Sequence, residues 1–361
     1  MSENNEIKEP LNKNYKVPKL RFPEFNDEWN NLRLGDILKI QNGKDQKEIE
    51  ISSGIYKIYG TGGVIGYTNN FLYNKESVGI GRKGTINRPF YFNEPFWTVD
   101  TLFWSKIKEK NFPKFIYYLF FTIDWNKLNQ STGVPSLTSH VIEHQKIVIP
   151  KLDEQKKIAM FFTIIDKKID VINSKLSILK KYKEGFTKRL TKTLNTDEIA
   201  LSNICSITTG KMDANAMNPE GKYKFFTCSR EDYFIDTYAF DCEALLVSGN
   251  GEVGLTKYYN GKFNAYQRTY VLYNLKKNAK FIKLFIDLQI NTIIRKETNK
   301  GAMPYIRLTT FNKIMIPNID PSLEYLISIT IDKIDKKIEL LQNHARVLNN
   351  IKNNLLGSLF I

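Results

Sequence analysis

The residues whose spacing most resembles that of a catalytic site are His140, Glu143 and His144, in the sequence HVIEH. Two histidines one helical turn apart, with a carboxylate beside them, match the zinc-binding pattern of one class of metallopeptidases. The corresponding stretch of the second half of the chain, residues 308–317, contains no histidine, and the only other histidine is His344. We therefore expect these histidines to lie on a helix surface or to pack beside a strand, and we predict no metal site.

A second candidate for chemistry is Glu154-Gln155-Lys156, which contains the E-x-K fragment of nucleases that hold Mg²⁺ beside a phosphate. It closely follows Pro150, and Asp153 and Glu154 are better explained by exposed backbone amides at the start of a helix. The NPPF and NPPY motifs of adenine methyltransferases are absent, with Asn87–Phe90 a near miss, and so is a Walker-type phosphate loop. The sequence therefore predicts a chain that binds but has no catalytic residues.

A glycine-rich basic turn is the strongest candidate for binding. In GIGRKGTINR, Gly79 to Arg88, the basic residues are Arg82, Lys83 and Arg88. Backbone amides of such a turn can approach a phosphate while an arginine reaches a groove of DNA. The counterpart SGNGEVG, from Ser248, keeps the turn without the arginines. That difference fits two domains that bind different sequences, although a plain tight turn remains the alternative for each residue.

Further candidates for DNA contact are basic residues at repeated positions and in loops of the second half. They are Lys44, Lys211, Arg230, Arg268 and Arg307. We expect Lys44 and Lys211, which each follow a repeated glycine, to contact phosphates, and the three arginines to contact bases. The segments 132–138 and 300–307 each contain a glycine, a proline and polar residues, so we expect equivalent loops near DNA.

These candidates are positioned by an internal repeat. LGDILKIQNGK, Leu34 to Lys44, recurs as LSNICSITTGK, Leu201 to Lys211, an offset of 167 positions. At the same offset KIVIP, from Lys146, recurs as KIMIP, from Lys313. Between these anchors, β-branched and aromatic residues broken by Gly, Asn and Asp predict short strands, turns and some helix. Each half is therefore predicted to begin with a mixed α/β domain.

A long helix is predicted after each of these domains, with apolar residues alternately three and four positions apart, the period of a coiled coil. We call these residues the seam. In the first copy they are Phe162, Ile165, Ile169, Ile172, Leu176, Leu179, Phe186 and Leu190, and in the second Ile331, Ile334, Ile338, Leu341, Ala345, Leu348, Leu355 and Leu359. The one polar break is at matching positions, Lys183 and Lys352. If the two helices pair, the connectivity of the chain requires them to run antiparallel.

The composition agrees with a DNA-binding protein. The formal net charge is +15 at pH 7 for 361 residues, and the resulting positive field attracts polyanions, of which nucleic acid is the commonest. A hydrophobic content of 42% suffices for packed cores. No apolar run approaches the roughly 18 residues of a membrane span, so we expect a cytoplasmic protein without membrane contact.

Two motifs resemble the Type I restriction specificity subunits. VPKLRFPEFNDEWNNLRLGDI, from Val17, resembles the start of a target-recognition domain in that family, and LDEQKKIAMFF, from Leu152, resembles the start of its central helical region. The second helix start, PSLEYLISITIDKID from Pro321, departs from the pattern because it lacks the EQ pair. The implied fold class is α+β: two mixed α/β target-recognition domains joined by a long antiparallel two-helix coiled coil, with a pseudo-two-fold internal repeat. The implied domains are 1–150 and 196–320, and the implied long helices are 151–195 and 321–361.

The resemblance also implies a function. The chain would be a non-catalytic subunit that recognises a bipartite, asymmetric sequence in double-stranded DNA, with the helices setting the unread spacer. It would carry two methyltransferase subunits that methylate adenine, and restriction subunits with motor activity would join them. Those partners would use S-adenosylmethionine, ATP and Mg²⁺, and this chain would hold no cofactor. The alternative is a stand-alone DNA-binding regulator, which would dock as a symmetric pair on a palindrome and is disfavoured because the two halves differ in nearly every loop.

Overall fold

The computed structural model describes residues 17–194, 196–231, 233–298 and 303–361, which form two compact units. Unit 1 contains the chain up to Ser174 together with Asn343–Ile361, and unit 2 contains Lys175–Gln342. The first sixteen residues of the predicted first domain, and residues 300–302 of the predicted loop 300–307, lie outside the described residues.

Unit 1 is a mixed α/β domain with a helical extension. Its elements are β1 (Asn30–Arg33), α1 (Leu34–Ile37), β2 (Leu38–Gln41), β3 (Tyr56–Gly60), β4 (Gly63–Thr68), β5 (Ser77–Gly81), β6 (Phe90–Phe92), β7 (Phe96–Thr98), β8 (Leu102–Ile107), α2 (Pro113–Phe120), α3 (Ser139–His144), β9 (Lys146–Ile149) and the first part of α4 (Leu152–Thr193). The strands form a four-stranded sheet in the order β2-β8-β5-β6, a three-stranded sheet in the order β4-β3-β7, and the pair β1-β9.

Unit 2 repeats this plan, with two strands that are longer than any in unit 1. After the second part of α4 come β10 (Glu198–Ala200), β11 (Ser206–Thr209), β12 (Tyr223–Phe226), β13 (Tyr233–Ile235), β14 (Phe240–Ser248), β15 (Thr256–Ala265), β16 (Thr269–Tyr273), α5 (Ala279–Glu297), β17 (Met315–Pro317) and α6 (Pro321–Leu359), whose last part belongs to unit 1. One six-stranded sheet has the order β11-β16-β14-β15-β12-β13, and β10 pairs with β17.

The strand pairings show that the repeat is structural. In unit 1 the parallel pair β3-β7 places Lys57 opposite Phe96. In unit 2 the parallel pair β12-β15 places Lys224 opposite Phe263, again 167 positions further along the chain. Parallel pairs are the less common arrangement in a sheet of short strands, so their recurrence at one offset confirms the predicted internal repeat.

Two glycines of the repeated motif are required by a close backbone approach. A Cβ on Gly43 would lie 2.0 Å from the carbonyl oxygen of Val99, and a Cβ on Gly210 would lie 2.0 Å from that of Ala265. Real Cβ atoms do not come this close to a carbonyl, and main-chain atoms cannot rotate away as a side chain can. Only glycine therefore fits where β2 and β11 end.

The long helices pair in antiparallel fashion. In unit 1, Phe162 of α4 packs against Phe360, just past α6, with ring centroids 6.1 Å apart, whereas Asp166 binds Lys352. As the residue number increases along α4, the number of the contacting residue in or after α6 decreases, so the two helices run antiparallel. The predicted seam residues are all buried or half-buried: Phe162, Ile165, Ile169, Ile172, Leu176, Leu179, Phe186, Leu190, Ile331, Ile334, Ile338, Leu341, Ala345, Leu348, Leu355 and Leu359. The predicted fold class, two mixed α/β domains with a long antiparallel helix pair, is confirmed.

Candidate DNA interface

The basic turn of unit 1 is bound to a second loop. The backbone N–H of Leu137 donates to the carbonyl oxygen of Arg82 at 2.9 Å, and that of Gly84 donates to the carbonyl oxygen of Pro135 at 2.8 Å. Lys83 and Ser136 form an antiparallel β-bridge. The structure thus brings together the two segments, 79–88 and 132–138, that the sequence singles out separately as candidates for DNA contact.

These two loops line an open cleft of about 420 Å³ that contains Arg82 and Lys83. The Arg82 side chain is exposed, lies 5.9 Å from the ring centroid of Phe103, and donates a long hydrogen bond of 3.4 Å to the carbonyl oxygen of Asp100. In the part of the chain that the structure describes, no carboxylate forms an ion pair with Arg82, so its charge is available to an anion or a base edge.

Arg88 and Lys44 lie elsewhere on unit 1. The Arg88 guanidinium donates to the carbonyl oxygen of Gly62 at 3.1 Å and lies 5.6 Å from the ring centroid of Phe90. The backbone of Lys44 is fixed by its N–H, which donates to Thr98 at 2.9 Å. The side chains of Arg88 and Lys44 are both exposed, but neither is part of the described lining of the cleft that contains Arg82.

Unit 2 contains an equivalent pair of loops. The N–H of Ile306 donates to the carbonyl oxygen of Gly249 at 3.1 Å, and the N–H of Gly249 donates to that of Arg268 at 2.9 Å. The neighbouring Arg307 is hydrogen-bonded to the Tyr305 hydroxyl, which raises the pKa of Arg307. Arg268 and Arg307 are both exposed and thus lie beside the turn that corresponds to the basic turn of unit 1.

Arg230 and Lys211 occupy different surroundings. Arg230 is paired with Glu252, and both line a separate cleft of about 370 Å³ that also contains Asp287. The neighbouring carboxylate neutralises part of the charge that Arg230 can offer to DNA, so Arg230 is a weaker candidate than Arg268. Lys211 is exposed and directly follows the close-packed Gly210.

The histidine motif has a structural explanation. His140 and His144 lie on α3, where the His144 ring nitrogen Nδ1 is 2.8 Å from the carbonyl oxygen of His140. Glu143 is turned away to bind the ammonium group of Lys39 at 2.9 Å and the backbone N–H of Ile40 at 2.9 Å. Over the described ranges, no group of three or more metal-ligating side chains could hold an ion.

The E-x-K fragment also has a structural role, which differs from the expected one. Glu154 is buried, with 3% of its surface exposed, and accepts two hydrogen bonds of 2.8 Å from Arg21. The indole N–H of Trp29 adds a third contact, at 3.3 Å. The interpretation of Glu154 as a helix-start residue is therefore incomplete: α4 begins at Leu152, but this carboxylate holds the segment before β1. The arginine partner lies 133 positions away, which local sequence patterns do not reveal.

The second helix start replaces the missing EQ pair with another residue. Gln155 accepts a hydrogen bond of 2.9 Å from the backbone N–H of Phe112, just before α2. In unit 2 the buried Glu324 accepts from the N–H of Asn278, just before α5, and is also paired with Lys277. Glu324 therefore accepts the same kind of hydrogen bond as Gln155, from the backbone just before the corresponding helix of its domain. This bond connects α6 to unit 2 although the sequence at the helix start differs.

Two ion pairs at the seam were not predicted from the sequence. Lys352 binds Asp166 at 2.6 Å in unit 1, and Lys183 binds Asp335 at 2.6 Å in unit 2. The two lysines are 169 positions apart, and so are the two aspartates, so the two ion pairs occupy equivalent positions of the repeat. In unit 1 the Tyr118 hydroxyl also donates to Asp166 at 2.7 Å, and burial raises the pKa of Tyr118. A lysine within an apolar seam is satisfied in one register only, so both pairs favour the observed helix alignment.

Each unit also exposes apolar residues beside its part of the seam. Three such positions are apolar in both units: Val171, Val347 and Ile351 in unit 1, and Leu340, Ile178 and Tyr182 in unit 2. Val171 corresponds to Leu340, Val347 to Ile178, and Ile351 to Tyr182, and the two members of each pair are 169 positions apart. All six are at least 44% exposed, and by the heptad spacing each triad lies on one flank of its seam. We call them the unit 1 patch and the unit 2 patch.

Comparison with known proteins places the chain in one family. The profile described as "Type I restriction modification DNA specificity domain" matches residues 26–181 and again residues 194–350. Every helix among the described residues is too short or too polar to cross a membrane.

Individual relatives agree with this assignment. The specificity subunit of the Type I restriction enzyme EcoDI from Escherichia coli is 37% identical over 142 residues, which cover 39% of this chain and 31% of that protein. A putative Type I specificity subunit from Mycoplasma pneumoniae is 22% identical over 95% of this chain and 99% of its own length. The crystal structure of a Type I S subunit from M. genitalium has the same fold, with a TM-score of 0.77 at 18% identity, over 96% of this chain and 99% of that one. Because the family profile matches both halves, this chain belongs to the DNA specificity subunits of Type I restriction-modification systems.

Proposed function

We propose that this chain directs a DNA methyltransferase to a bipartite, asymmetric site, with each unit recognising one half of it. The observation that carries the proposal is the presence of two specificity domains in one chain, each with two hydrogen-bonded loops at the same place in the repeat. Two domains of one fold can contact two successive groove segments of a duplex. A stand-alone regulator is not supported, because the relatives that the chain matches are specificity subunits of Type I systems.

The difference between the two loop pairs supports an asymmetric site. Unit 1 presents Arg82 and Lys83 in its turn, whereas the equivalent turn of unit 2 presents Gly249 and Asn250, with Arg268 and Arg307 beside it. Arginine is the commonest reader of guanine, and its position decides which base pair it contacts. Domains with arginines on different loops are therefore expected to recognise different bases.

The two patches are the proposed docking surfaces for two methyltransferase subunits. Each unit carries one patch at matching repeat positions, so a partner that binds one patch can bind the other in the same way. Exposed apolar residues framed by polar helix surface are typical of protein interfaces. The methyltransferase subunits would use S-adenosylmethionine, restriction subunits would add ATP-driven and Mg²⁺-dependent cleavage, and the complex would act in the cytoplasm. This chain itself would supply neither a cofactor site nor a catalytic group.

Arg82→Ala tests the assignment of a half-site to unit 1. We expect the complex of this variant with methyltransferase subunits to lose selectivity at one base pair in one half of its site. A bidentate arginine–guanine contact contributes about 1–3 kcal/mol, so discrimination there should fall roughly 5- to 150-fold. The measurement is the rate of methyl transfer to duplexes that differ from the preferred site at single positions.

Arg33→Ala is the matched control, because Arg33 is an exposed arginine of unit 1 on β1, outside the sheet that leads into the basic turn. It should leave selectivity unchanged at every position. Uniform weakening by Arg82→Ala on all sequences would instead identify a phosphate contact, and lost selectivity in both halves would contradict the assignment of one half to each unit.

A further inference from the structure

The loop bonded to the basic turn of unit 1 is held rigidly at its base. The Asn129 side-chain oxygen accepts from the N–H groups of Ser131 and Ser136, at 3.1 and 2.9 Å, and its amide donates to the carbonyl of Ser131 at 2.8 Å. The N–H of Gln130 donates to Ser136 at 3.2 Å and closes the loop. Such a loop loses little conformational entropy when it binds a partner, because its backbone is already fixed.

An apolar side chain stands at the end of this rigid loop. Val134 is 57% exposed, and a Cβ on the adjacent Gly133 would have no neighbour within 4 Å, so this part of the loop projects into open space. The next residue, Pro135, accepts the hydrogen bond of Gly84 from the basic turn. Val134 is therefore held beside the turn of Arg82 and Lys83, with more than half of its surface open to solvent.

The same position of unit 2 is also apolar and exposed. Met303 lies 169 positions after Val134, is followed by Pro304 as Val134 is by Pro135, and is 88% exposed. Ile306 bonds this segment to the turn at Gly249, as Leu137 does in unit 1. Single exposed apolar residues need no explanation, but two at one repeat position, each beside arginines in otherwise different loops, indicate a shared ligand.

We propose that Val134 and Met303 are base-contacting tips, each packing against the C5-methyl group of a thymine in the major groove of its half-site. This inference rests on the proposed function. The positive charge of Arg82 and Lys83, or of Arg268 and Arg307, commits the occupant to nucleic acid rather than to an apolar protein surface. Of the four unmodified bases only thymine carries a methyl group, and apolar side chains contact it in the major groove, which is wide enough for a protruding loop.

The test uses the full chain assembled with its methyltransferase subunits. The probe is a duplex with the preferred methylation site, together with a series in which each thymine in turn is replaced by uracil, which lacks only the methyl group. For the unaltered complex, we expect one replacement in each half to weaken binding about fourfold, the effect of removing one buried methyl group.

Val134→Ser should bind the unmodified duplex about fourfold more weakly and become insensitive to the uracil in one half of the site. Met303→Ser should do the same for the other half only. Val17→Ser, a change at another exposed valine of unit 1, is the control and should retain the full uracil effect.

Several results would overturn the inference: no sensitivity to any uracil, additive effects of Val134→Ser and uracil, or sensitivity that moves to the wrong half. A tip that wedges into the minor groove would give the first of these, since no methyl group lies there. These results can be distinguished from a failure of the proposed function. In that case the assembled complex would show no preference for a bipartite site, with or without uracil in the duplex.

Discussion

Gly210→Ala should prevent unit 2 from folding stably, and Gly43→Ala should do the same to unit 1. The new Cβ would lie 2.0 Å from a main-chain oxygen in each case, and at Gly210 also 2.2 Å from the carbonyl carbon of Ala265. Overpacking against movable side chains costs about 1–3 kcal/mol. Here the strands themselves must separate, so we expect a loss of at least about 4 kcal/mol in the free energy of unfolding. Urea-induced unfolding of the full chain measures it.

Gly185→Ala is the matched control, because Gly185 lies within α4 and an added Cβ would meet nothing within 4 Å. Alanine is favoured over glycine in a helix interior by about 1 kcal/mol, so this variant should be slightly more stable than the original chain. If Gly43→Ala and Gly210→Ala unfold at the same urea concentration as the original chain, the close approach at the ends of β2 and β11 is wrong.

These glycines show what the sequence could and could not reveal. The repeat of Gly-Lys at positions 43 and 210 identified equivalent places in two domains, because a long match at one offset has few other causes. The repeat did not reveal why glycine is needed at these two positions. The reason is that the main chain of residues more than fifty positions away passes directly against each glycine. Hydrophobic period and turn residues are local signals, whereas close approaches depend on the tertiary fold.

The helices illustrate the same division. The three-and-four spacing of apolar residues located both of them, because that spacing reflects the geometry of a single helix. The aspartate partners of Lys183 and Lys352 follow no apolar period, so the spacing that locates the helices does not indicate them. Asp166 and Asp335 are nevertheless 169 positions apart, as the two lysines are, and this shared offset is the one sequence signal for the ion pairs. No such signal existed for Arg21 and Glu154, since the second half has no equivalent pair.

Placing three glutamates on the unit 1 patch should remove one methyltransferase subunit from the complex. The variant Val171→Glu, Val347→Glu and Ile351→Glu exchanges apolar side chains that each contribute about 1.5–3 kcal/mol when buried for carboxylates that resist burial. We expect binding at that surface to weaken at least about a hundredfold. Native mass spectrometry should then detect one bound methyltransferase in place of two, and the same change at Leu340, Ile178 and Tyr182 should remove the other.

The control places the same charge on the opposite flank of the seam in unit 1, with Asn173→Glu, Asn349→Glu and Asn353→Glu, all at exposed positions. This variant should retain two methyltransferase subunits. Equal losses from the patch and control variants would mean that net charge, not the apolar surface, determines assembly. Full occupancy after the patch changes would place the docking surface elsewhere.

The most direct measurement of the central claim is a genome-wide map of methylated adenines in cells that carry this chain and its methyltransferase subunits, compared with cells from which this chain alone is deleted. We predict one motif that depends on this chain and consists of two different half-sequences separated by a fixed number of unspecified bases. A continuous or palindromic motif, or methylation that persists without this chain, would contradict the account.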